Sequence, residues 1–432
     1  MIQFDENNEV ITEREYRAIL VGLEFGEDIS YSLEELARLA EAAGCMVLGK
    51  MVQSAERRNN ATYIGSGKTA ELAEMCESMN ADTVIVNEEL SGIQLRNLED
   101  ALKVRVIDRT ILILDIFAAR AVSGEGKLQV ELAQLQYRLP RLIGFGRSLS
   151  RQGGGIGTRG PGEKKLETDR RHIERRIDDI KAEIKRLTGT RNVQRARREK
   201  NEIPVVALVG YTNSGKSALM NRLLSLSEKE DKFVMEKDML FATLDTAQRG
   251  IRLSSNHEFV LIDTVGFVSK LPHSLVKAFQ ATLEEVRYAD LLLHVVDASQ
   301  EDREFHIDIT KSVLSEIGAG SKEQVLVYNK VDLLDSKPET VKMLLRSGSY
   351  ETVCVSARRG DGMEALAELI HRKVFGDRIT VKLLIPYDRG DIVSYLCEKA
   401  AVTEKEYTEQ GTLLTAEMSA ADAGKYRMYQ AD

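Results

Sequence analysis

The residues with the clearest chemistry form a predicted phosphate-binding loop. An apolar segment and a helical segment flank the sequence GYTNSGKS, which fits the pattern GxxxxGK[ST]. Backbone N–H groups in such a loop face a β-phosphate, and the lysine bridges the β- and γ-oxygens. The following serine is an oxygen ligand suited to Mg²⁺. The predicted loop consists of Gly210, Tyr211, Thr212, Asn213, Ser214, Gly215, Lys216 and Ser217.

A second motif, DTVG, supplies a carboxylate and a backbone N–H. It follows the apolar run VLI and consists of Asp263, Thr264, Val265 and Gly266. We expect Asp263 to hold Mg²⁺ through a water molecule and the N–H of Gly266 to approach the γ-phosphate. DxxG is a weak signal alone, but here it follows a phosphate-binding loop at the expected interval.

The segment FATLD between these motifs offers one further hydroxyl. It consists of Phe241, Ala242, Thr243, Leu244 and Asp245. Thr243 is the natural ligand for Mg²⁺ and the γ-phosphate in a triphosphate state, although a threonine without a role is the alternative. We therefore predict Ser217, Thr243 and Asp263 as metal-binding residues and Lys216, Thr243 and Gly266 as catalytic residues.

Two later motifs predict guanine as the base. Asn329, Lys330, Val331 and Asp332 follow an apolar strand, and the Asp332 carboxylate can accept hydrogen bonds from N1–H and the exocyclic amine of guanine. Adenine would set a lone pair against that carboxylate. A backbone N–H in the segment Ser356, Ala357 and Arg358 can bind guanine O6. The expected ligands are thus GTP and GDP with Mg²⁺.

Two residues bear on the rate of hydrolysis. Phe267 follows the DTVG motif, at the position where Ras-like proteins carry a glutamine that orients the attacking water. Phenylalanine cannot position water by hydrogen bonding, so we expect slow intrinsic turnover and stimulation by a partner. Asn213 either helps bind K⁺ in place of an arginine or only caps the loop, and the sequence leaves both open.

Apolar runs alternate with amphipathic helices and predict how these motifs are positioned. The pattern indicates an α/β protein whose G domain, residues 203–378, has a doubly wound parallel sheet. We expect an α/β domain at 1–150 and a small α+β domain at 379–432. Residues 151–202 are predicted to be a Gly/Arg-rich loop and a coiled-coil hairpin, whose first helix breaks at Thr188-Gly189-Thr190 and whose second covers 191–201.

This region is locally basic in an acidic chain. Residues 159–200 contain 15 Lys or Arg and 8 Asp or Glu, although the whole chain carries a formal charge of −8. Such asymmetry suggests a nucleic-acid-binding element on an acidic body, or a solvated charged hairpin. The RNA-binding candidates are Arg147, Arg151, Arg159, Lys164, Lys165, Arg170 and Arg171.

Composition narrows the class of protein. With 43% hydrophobic and 30% charged residues and no long apolar run, the chain is not expected to span a membrane. The acidic first residues lack a secretion signal, and four scattered cysteines do not resemble a disulfide framework. We expect a cytoplasmic monomer.

The motifs GYTNSGKS, FATLD, DTVGF and NKVD, together with the upstream GGGIGTRGPGEKKLETDRR, resemble those of HflX-type GTPases of the TRAFAC class. The similarity covers residues from about 10 to about 375. It implies an N-terminal α/β part with a helical hairpin, a G domain, binding to the large ribosomal subunit, and splitting of stalled or stressed ribosomes. The basic residues near the glycine-rich loop independently suggest that the contact is with rRNA.

Two other functions remain open from the residues alone. A phosphotransferase would also use a phosphate-binding loop, but NKVD argues against it. A nucleotide-dependent RNA chaperone with a second, ATP-binding site in the N-terminal half is the main alternative, because GSGKT at 65–69 resembles the end of a phosphate-binding loop. Its polar flank favours an ordinary helix start.

Overall fold

The structure is a computed structural model that describes residues 3–4, 10–11, 16–149, 161–200, 203–227, 247–252, 257–270, 280–334, 338–345, 350–376 and 378–431. The chain divides into two compact units. The first takes its described residues from Met1–Arg191 and Ser269–Gln280, and the second from Asn192–Lys237, Thr246–Val268 and Ala281–Asp432. The predicted division into four domains stays a prediction.

The first unit contains a parallel sheet of four strands in the order β4-β3-β5-β6. The strands of this sheet are β3 (Tyr16–Glu24), β4 (Cys45–Ser54), β5 (Thr83–Val86) and β6 (Arg105–Asp108), and the two short strands before them, β1 (Gln3–Phe4) and β2 (Val10–Ile11), form a separate antiparallel pair. β5 reads TVIV and is buried throughout, as expected for an inner parallel strand. The sequence pattern of this α/β unit is confirmed.

Helices α1 (Ser30–Ala42), α2 (Ser66–Met79), α3 (Gly92–Leu102) and α4 (Arg109–Arg120) accompany this sheet. Helix α3 begins with a capping box between Ser91 and Gln94, and Asp108 caps α4 by accepting a hydrogen bond from the N–H of Ile111. These local signals explain where the helices start.

The segment resembling a second phosphate-binding loop is a helix start, as its polar flank indicated. Gly65 precedes the first residue of α2, and the Thr69 hydroxyl donates to the Gly65 carbonyl at 3.0 Å. The Lys68 ammonium lies 2.8 Å from the Glu71 carboxylate. Both polar side chains therefore have partners at the start of the helix, which gives no support to an ATP site here.

A helical hairpin follows in the chain and belongs to the first unit as far as Arg191, but its arms differ from the prediction. They are α5 (Gly124–Leu149) and α6 (Pro161–Lys200), joined through residues 150–160. Ile177 and Ile180 of α6 pack against Leu132 of α5. The apolar seam of α6 therefore has its partner upstream, in α5.

The predicted break at Thr188-Gly189-Thr190 is wrong, because α6 continues to Lys200. A helical glycine is less favourable than alanine by only about 1 kcal/mol, which does not end a helix of this length. The segment 191–201, predicted to be a separate returning helix, belongs to α6 as far as Lys200.

A buried ion pair lies in the first unit. The guanidinium of Arg109 is 2% exposed and donates to the carboxylate of Glu35, which is 4% exposed. Arg109 also donates to the Asn87 side-chain oxygen at 3.1 Å and to the Ser269 carbonyl at 3.2 Å. The Ser269 hydroxyl in turn donates to Glu35. Both charges are thus buried with several hydrogen-bond partners, as burial requires.

The second unit contains a sheet of six strands in the order β12-β11-β10-β7-β9-β8. They are β7 (Val205–Val209), β8 (Ala247–Arg252), β9 (Glu258–Asp263), β10 (Leu291–Asp297), β11 (Gln324–Asn329) and β12 (Glu351–Cys354). Neighbouring strands are parallel except β8, which runs antiparallel to β9. The carboxyl ends of β7, β9 and β11 therefore meet at one edge, where ligands bind in such sheets.

The helices of this unit are α7 (Lys216–Ser225), α8 (Gln280–Arg287), α9 (Arg303–Glu316), α10 (Pro338–Leu344) and α11 (Met363–Phe375). Leu219 and Leu223 of α7 and Leu366 and Ile370 of α11 are fully buried with the strand residues in one apolar core. Their spacing of three or four residues is the helical period that the sequence showed.

A smaller antiparallel sheet ends the chain. Its elements are β13 (Arg378–Ile385), α12 (Gly390–Lys399), β14 (Ala401–Thr408), β15 (Gly411–Ser419) and α13 (Ala420–Lys425), with strand order β13-β15-β14. Leu383, Leu396 and Leu414 are buried in its core. This confirms the predicted small α+β part. Among the helices described, none combines the length and the apolar character needed to cross a bilayer.

Candidate nucleotide-binding site

The predicted phosphate-binding loop leaves β7 and enters α7 with an unusual backbone. The φ angles of Gly210, Asn213 and Gly215 are +146°, +58° and +90°. A Cβ atom on Gly215 would lie 2.2 Å from the side-chain nitrogen of Asn329. Glycine is therefore required there both for the left-handed conformation and for the close approach of Asn329.

Lys216 lies buried beneath this loop. Its ammonium donates to the carbonyls of Tyr211 at 2.9 Å and Gly210 at 3.2 Å. Burial lowers the pKa of Lys216 to about 8, against the opposing effect of the Asp263 carboxylate, and the Lys330 charge lowers it further. An anion bound beside Lys216 would favour its charged form and raise this pKa.

Ser217 and Asp263 come together at the start of α7 and the end of β9. The Ser217 hydroxyl donates to the Asp263 carboxylate at 2.6 Å, and Asp263 is fully buried. A hydroxyl and a carboxylate are oxygen groups of the kind that Mg²⁺ prefers, so the residues present fit this ion. Nearby, the buried Ser214 hydroxyl has no hydrogen-bond partner among the described residues, which suits a polar ligand.

Gly266 brings the second motif against the loop. A Cβ atom there would lie 2.6 Å from the Thr212 Cα and 3.1 Å from the Lys216 ammonium. The next residue, Phe267, is 2% exposed, and its backbone accepts from the Thr212 N–H at 2.7 Å and donates to the Gly210 carbonyl at 3.2 Å. Phe267 thus pairs the two motifs through its backbone while its side chain is buried.

Asn329 connects the predicted base-binding and phosphate-binding segments. Its side-chain NH₂ donates to the Ser214 carbonyl at 3.0 Å, and its side-chain oxygen accepts from the Ala357 N–H at 3.0 Å. Asn329 is 1% exposed, so these bonds are shielded from water. The Asn329 side chain therefore links the phosphate-binding loop to the loop that contains Ala357.

The base-binding residues are oriented by their neighbours. The Ser356 hydroxyl donates to the Asp332 carboxylate at 2.7 Å, which fixes the carboxylate predicted to recognise guanine. Lys330 adopts a left-handed backbone conformation and donates to the Asn213 carbonyl at 2.8 Å. Val331 and Asp332 lie in a short 3₁₀ turn after β11, and Arg358 is exposed at the adjacent loop.

The remaining predicted residues fall in three groups. Thr264 and Val265 are buried, and the Thr264 hydroxyl donates to the Leu208 carbonyl at 2.6 Å. Outside the described residues lie the predictions for Phe241, Ala242, Thr243, Leu244, Asp245, Arg151 and Arg159. The other basic candidates lie in the hairpin helices: Arg147 in α5, and Lys164, Lys165, Arg170 and Arg171 in α6.

Arg170 and Arg171 are exposed and pair along the helix with Glu174 at 2.8 Å and Glu167 at 3.2 Å. Another arginine of the hairpin, Arg141 of α5, lies over the Tyr137 ring, 3.3 Å from its centroid. Arg141 is therefore engaged inside the first unit and is not part of an exposed basic surface.

Two further residues at this edge of the sheet were not predicted from the sequence. Asp297, at the end of β10, lies 2.8 Å from the Lys330 ammonium, and its position after an apolar strand was an available signal. His306 of α9 stacks on Tyr211, with ring centroids 3.9 Å apart and planes at 16°. A lone histidine on a helix carries no such signal in the sequence.

Fold and site together define a P-loop GTPase, and comparisons with known proteins agree. Consecutive parts of the chain match family models described as "GTP-binding GTPase N-terminal" (30–118), "GTP-binding GTPase Middle Region" (120–198), "50S ribosome-binding GTPase" (205–330) and "HflX C-terminal domain" (343–428). The motifs identified above lie mainly in the third of these regions.

GTPase HflX of Caldanaerobacter subterraneus subsp. tengcongensis is 50% identical over 93% of this chain and 91% of its own. GTPase HflX of Escherichia coli K12 is 41% identical over 91% of each chain. The chain therefore belongs to the HflX family of GTPases, as the sequence resemblance implied. It binds guanine nucleotides and hydrolyses GTP.

Among solved structures, a GTP-binding protein from Sulfolobus solfataricus in complex with GDP is 25% identical. The match covers 83% of this chain and 98% of that chain, with a TM-score of 0.44.

Proposed function

We propose that this GTPase is a cytoplasmic, monomeric factor that binds the large ribosomal subunit and separates stalled or stressed ribosomes in a GTP-dependent manner. The match of residues 205–330 to a family described as a "50S ribosome-binding GTPase" supports the partner. The observation that carries the proposal is the set of exposed arginines on helix α6 of the hairpin, Arg170, Arg171 and Arg175.

The hairpin has the physical properties of an RNA-binding element. The described side chains of Arg170, Arg171 and Arg175 are exposed on α6. The ion pairs that Arg170 and Arg171 make with glutamates are also exposed, and such pairs contribute only about 0–1 kcal/mol. RNA phosphates can therefore replace those glutamates at low cost, and glycine in the connection allows close approach to a backbone.

At the nucleotide site, we propose that Lys216 neutralises the β- and γ-phosphates and that Ser217, Thr243 and, through water, Asp263 hold Mg²⁺. Bound Mg²⁺ would supply charge neutralisation at the phosphates. Asp332 would recognise the guanine edge, Ala357 its O6, and Gly266 the γ-phosphate. The 2.6 Å hydrogen bond between Ser217 and Asp263 supports the metal assignment.

We further propose that hydrolysis is slow without the ribosome. The buried Phe267 side chain offers no hydrogen bond to an attacking water, so we expect turnover of the order of 10⁻⁴–10⁻³ s⁻¹, as in unassisted GTPases. Ribosomes should raise it by roughly 10³–10⁵-fold if they complete the site. Fast hydrolysis by the isolated protein would contradict this.

Potassium is a further proposal at Asn213. Its left-handed backbone and its carbonyl contact with Lys330 support a role in loop geometry, which does not require a cation. Hydrolysis in KCl and in NaCl should be compared for the wild type and for Asn213→Ser. A K⁺-specific rate that the substitution removes would support cation binding, and equal rates in the two salts would refute it.

Sedimentation of ribosomes tests the main proposal. The protein should co-migrate with the large subunit, and separate 70S particles, with GTP or a non-hydrolysable analogue but not with GDP. Lys216→Ala should abolish the nucleotide dependence. Replacing Arg170 and Arg171 by glutamine should weaken ribosome binding without changing GDP affinity, and raising salt should weaken it steeply. Nucleotide-independent co-migration would contradict a GTP-controlled switch.

A further inference from the structure

Two histidines and a glutamate meet in the second unit, away from the nucleotide site. His257 immediately precedes β9, His371 lies in α11, and Glu417 lies in β15. One potential metal-binding atom from each residue lies within 4.8 Å of those of the other two. His257 is 2% exposed, whereas His371 and Glu417 are partly exposed. An ion from solvent can therefore reach the cluster through His371 and Glu417.

Packing sets the orientation of the two imidazoles. The His257 ring stacks on Phe375 with centroids 4.6 Å apart and planes at 20°, and His371 contacts the same phenylalanine at 5.4 Å. Nδ1 of His257 lies 2.8 Å from Nε2 of His371. Nε2 of His257 lies 3.8 Å from the Glu417 carboxylate. The three side chains are therefore brought together from three separate elements.

The short nitrogen–nitrogen distance constrains the protons. At 2.8 Å only one proton can lie between the two nitrogens, so at least one lone pair points toward the partner ring. A metal ion can take the place of that proton. With metal–nitrogen distances of about 2.0–2.1 Å and tetrahedral angles, the two nitrogens would separate to about 3.3 Å. His371 is partly exposed, so its side chain has room to rotate to this distance, and the partly exposed Glu417 carboxylate, which lies beside the other ring nitrogen of His257, would have to turn toward the ion as well.

We propose that His257, His371 and Glu417 bind a divalent transition-metal ion of the zinc class, with water completing the coordination. Two imidazoles and one carboxylate form a ligand set typical of zinc and neighbouring transition metals. Magnesium prefers oxygen ligands only, so this site is chemically distinct from the one at Ser217 and Asp263. The ion would join β9 and α11 to the antiparallel sheet that contains β15.

Metal binding to the full-length protein tests this site. After chelator treatment, Zn²⁺ should be titrated in competition with a chromophoric chelator, and Co²⁺ should be followed by its visible absorption. We use a Cys397→Ser background, because Cys397 is the exposed cysteine among those described. One ion per chain is expected, with an absorption spectrum indicating a low coordination number.

The variants separate the site from other metal-binding groups. His371→Gln and Glu417→Gln should each weaken Zn²⁺ binding at least tenfold, and His172→Gln, which alters an exposed histidine of α6, should not. GDP affinity serves as the folding control for each variant. Zinc should also raise the Tm of the wild type and not that of His371→Gln. Absence of stoichiometric binding, or unchanged affinity in both ligand variants, would overturn the proposal and leave a hydrogen-bonded histidine pair.

Discussion

The hydroxyl of Ser217 donates to the carboxylate of Asp263 across 2.6 Å, joining the first turn of α7 to the end of β9. Asp263 is fully buried and Ser217 partly so. The two oxygen groups that the sequence assigned to one metal ion are therefore already adjacent. Mg²⁺ would replace this hydrogen bond by coordination to Ser217 and a water-mediated contact to Asp263.

Ser217→Ala should weaken nucleotide binding only when Mg²⁺ is present. We expect a loss of roughly tenfold to a hundredfold, because interactions of this kind with a charged group contribute about 1.5–3 kcal/mol. Fluorescent GDP and GTP analogues, titrated with Mg²⁺ and with EDTA, provide the measurement. Ser225→Ala, at the far end of α7, is the matched control and should leave nucleotide affinity unchanged both with Mg²⁺ and with EDTA. An equal loss in EDTA would argue against a metal-binding role.

Asp332→Asn should change the choice of base. The amide would donate a hydrogen bond where the carboxylate accepted one, so GTP affinity should drop roughly a hundredfold and binding of XTP, which has a carbonyl in place of the exocyclic amine, should rise. Competition between the two nucleotides measures this exchange. Ser356→Ala, which removes only the 2.7 Å bond to Asp332, should weaken GTP binding modestly without favouring XTP. If Asp332→Asn does not change the preference for GTP over XTP, Asp332 does not recognise the base.

Nucleotide affinity should depend on pH through Lys216. Burial lowers the pKa of Lys216 to about 8, and bound phosphates would raise it, so binding takes up a proton once the pH exceeds about 8. The Kd for GDP should therefore increase as the pH rises above 8, approaching tenfold per pH unit.

Calorimetry in two buffers of different ionisation enthalpy detects the proton uptake directly. Lys216→Arg remains charged throughout this range and corrects for titration of guanine itself. Identical pH profiles of the variant and the wild type would show that Lys216 is not the group involved.

Arg109→Met should destabilise the first unit strongly. Removing one partner leaves the Glu35 charge buried, which costs about 3–5 kcal/mol. Urea unfolding combined with hydrogen exchange of α1 and α4 should locate the loss. Arg105→Ala is the control, because its pair with Asp115 at 3.5 Å is exposed and should contribute about 0–1 kcal/mol. If both substitutions lower the free energy of unfolding equally, the buried ion pair contributes no more to stability than the exposed one.

Local motifs made much of the site predictable from sequence. The loop from Gly210 to Ser217 and the DTVG and NKVD motifs each follow a recognisable apolar strand, and a parallel sheet brings such strand ends to one edge. The structure places these segments together. Their individual roles in binding and catalysis stay predictions.

What the sequence could not reveal depends on distant contacts. The apolar seam of α6 packs on α5, and no periodicity within α6 identifies that partner. The contact of Arg109 with Ser269 joins residues far apart in the chain, and the stacking of His306 on Tyr211 likewise arises only on folding. Patterns along one segment carry no information about such neighbours.

The two hydrogen bonds of Asn329 have a consequence for how selectivity is achieved. The buried Asn329 side chain bonds both to the Ser214 carbonyl of the phosphate-binding loop and to the Ala357 N–H of the predicted base-binding segment. A base that fits poorly and displaces that segment would therefore also displace the phosphate-binding loop. A mismatched purine should then weaken the contacts to the triphosphate as well as the contacts to the base. The affinity for an adenine nucleotide would therefore be lowered at the base and at the phosphates together.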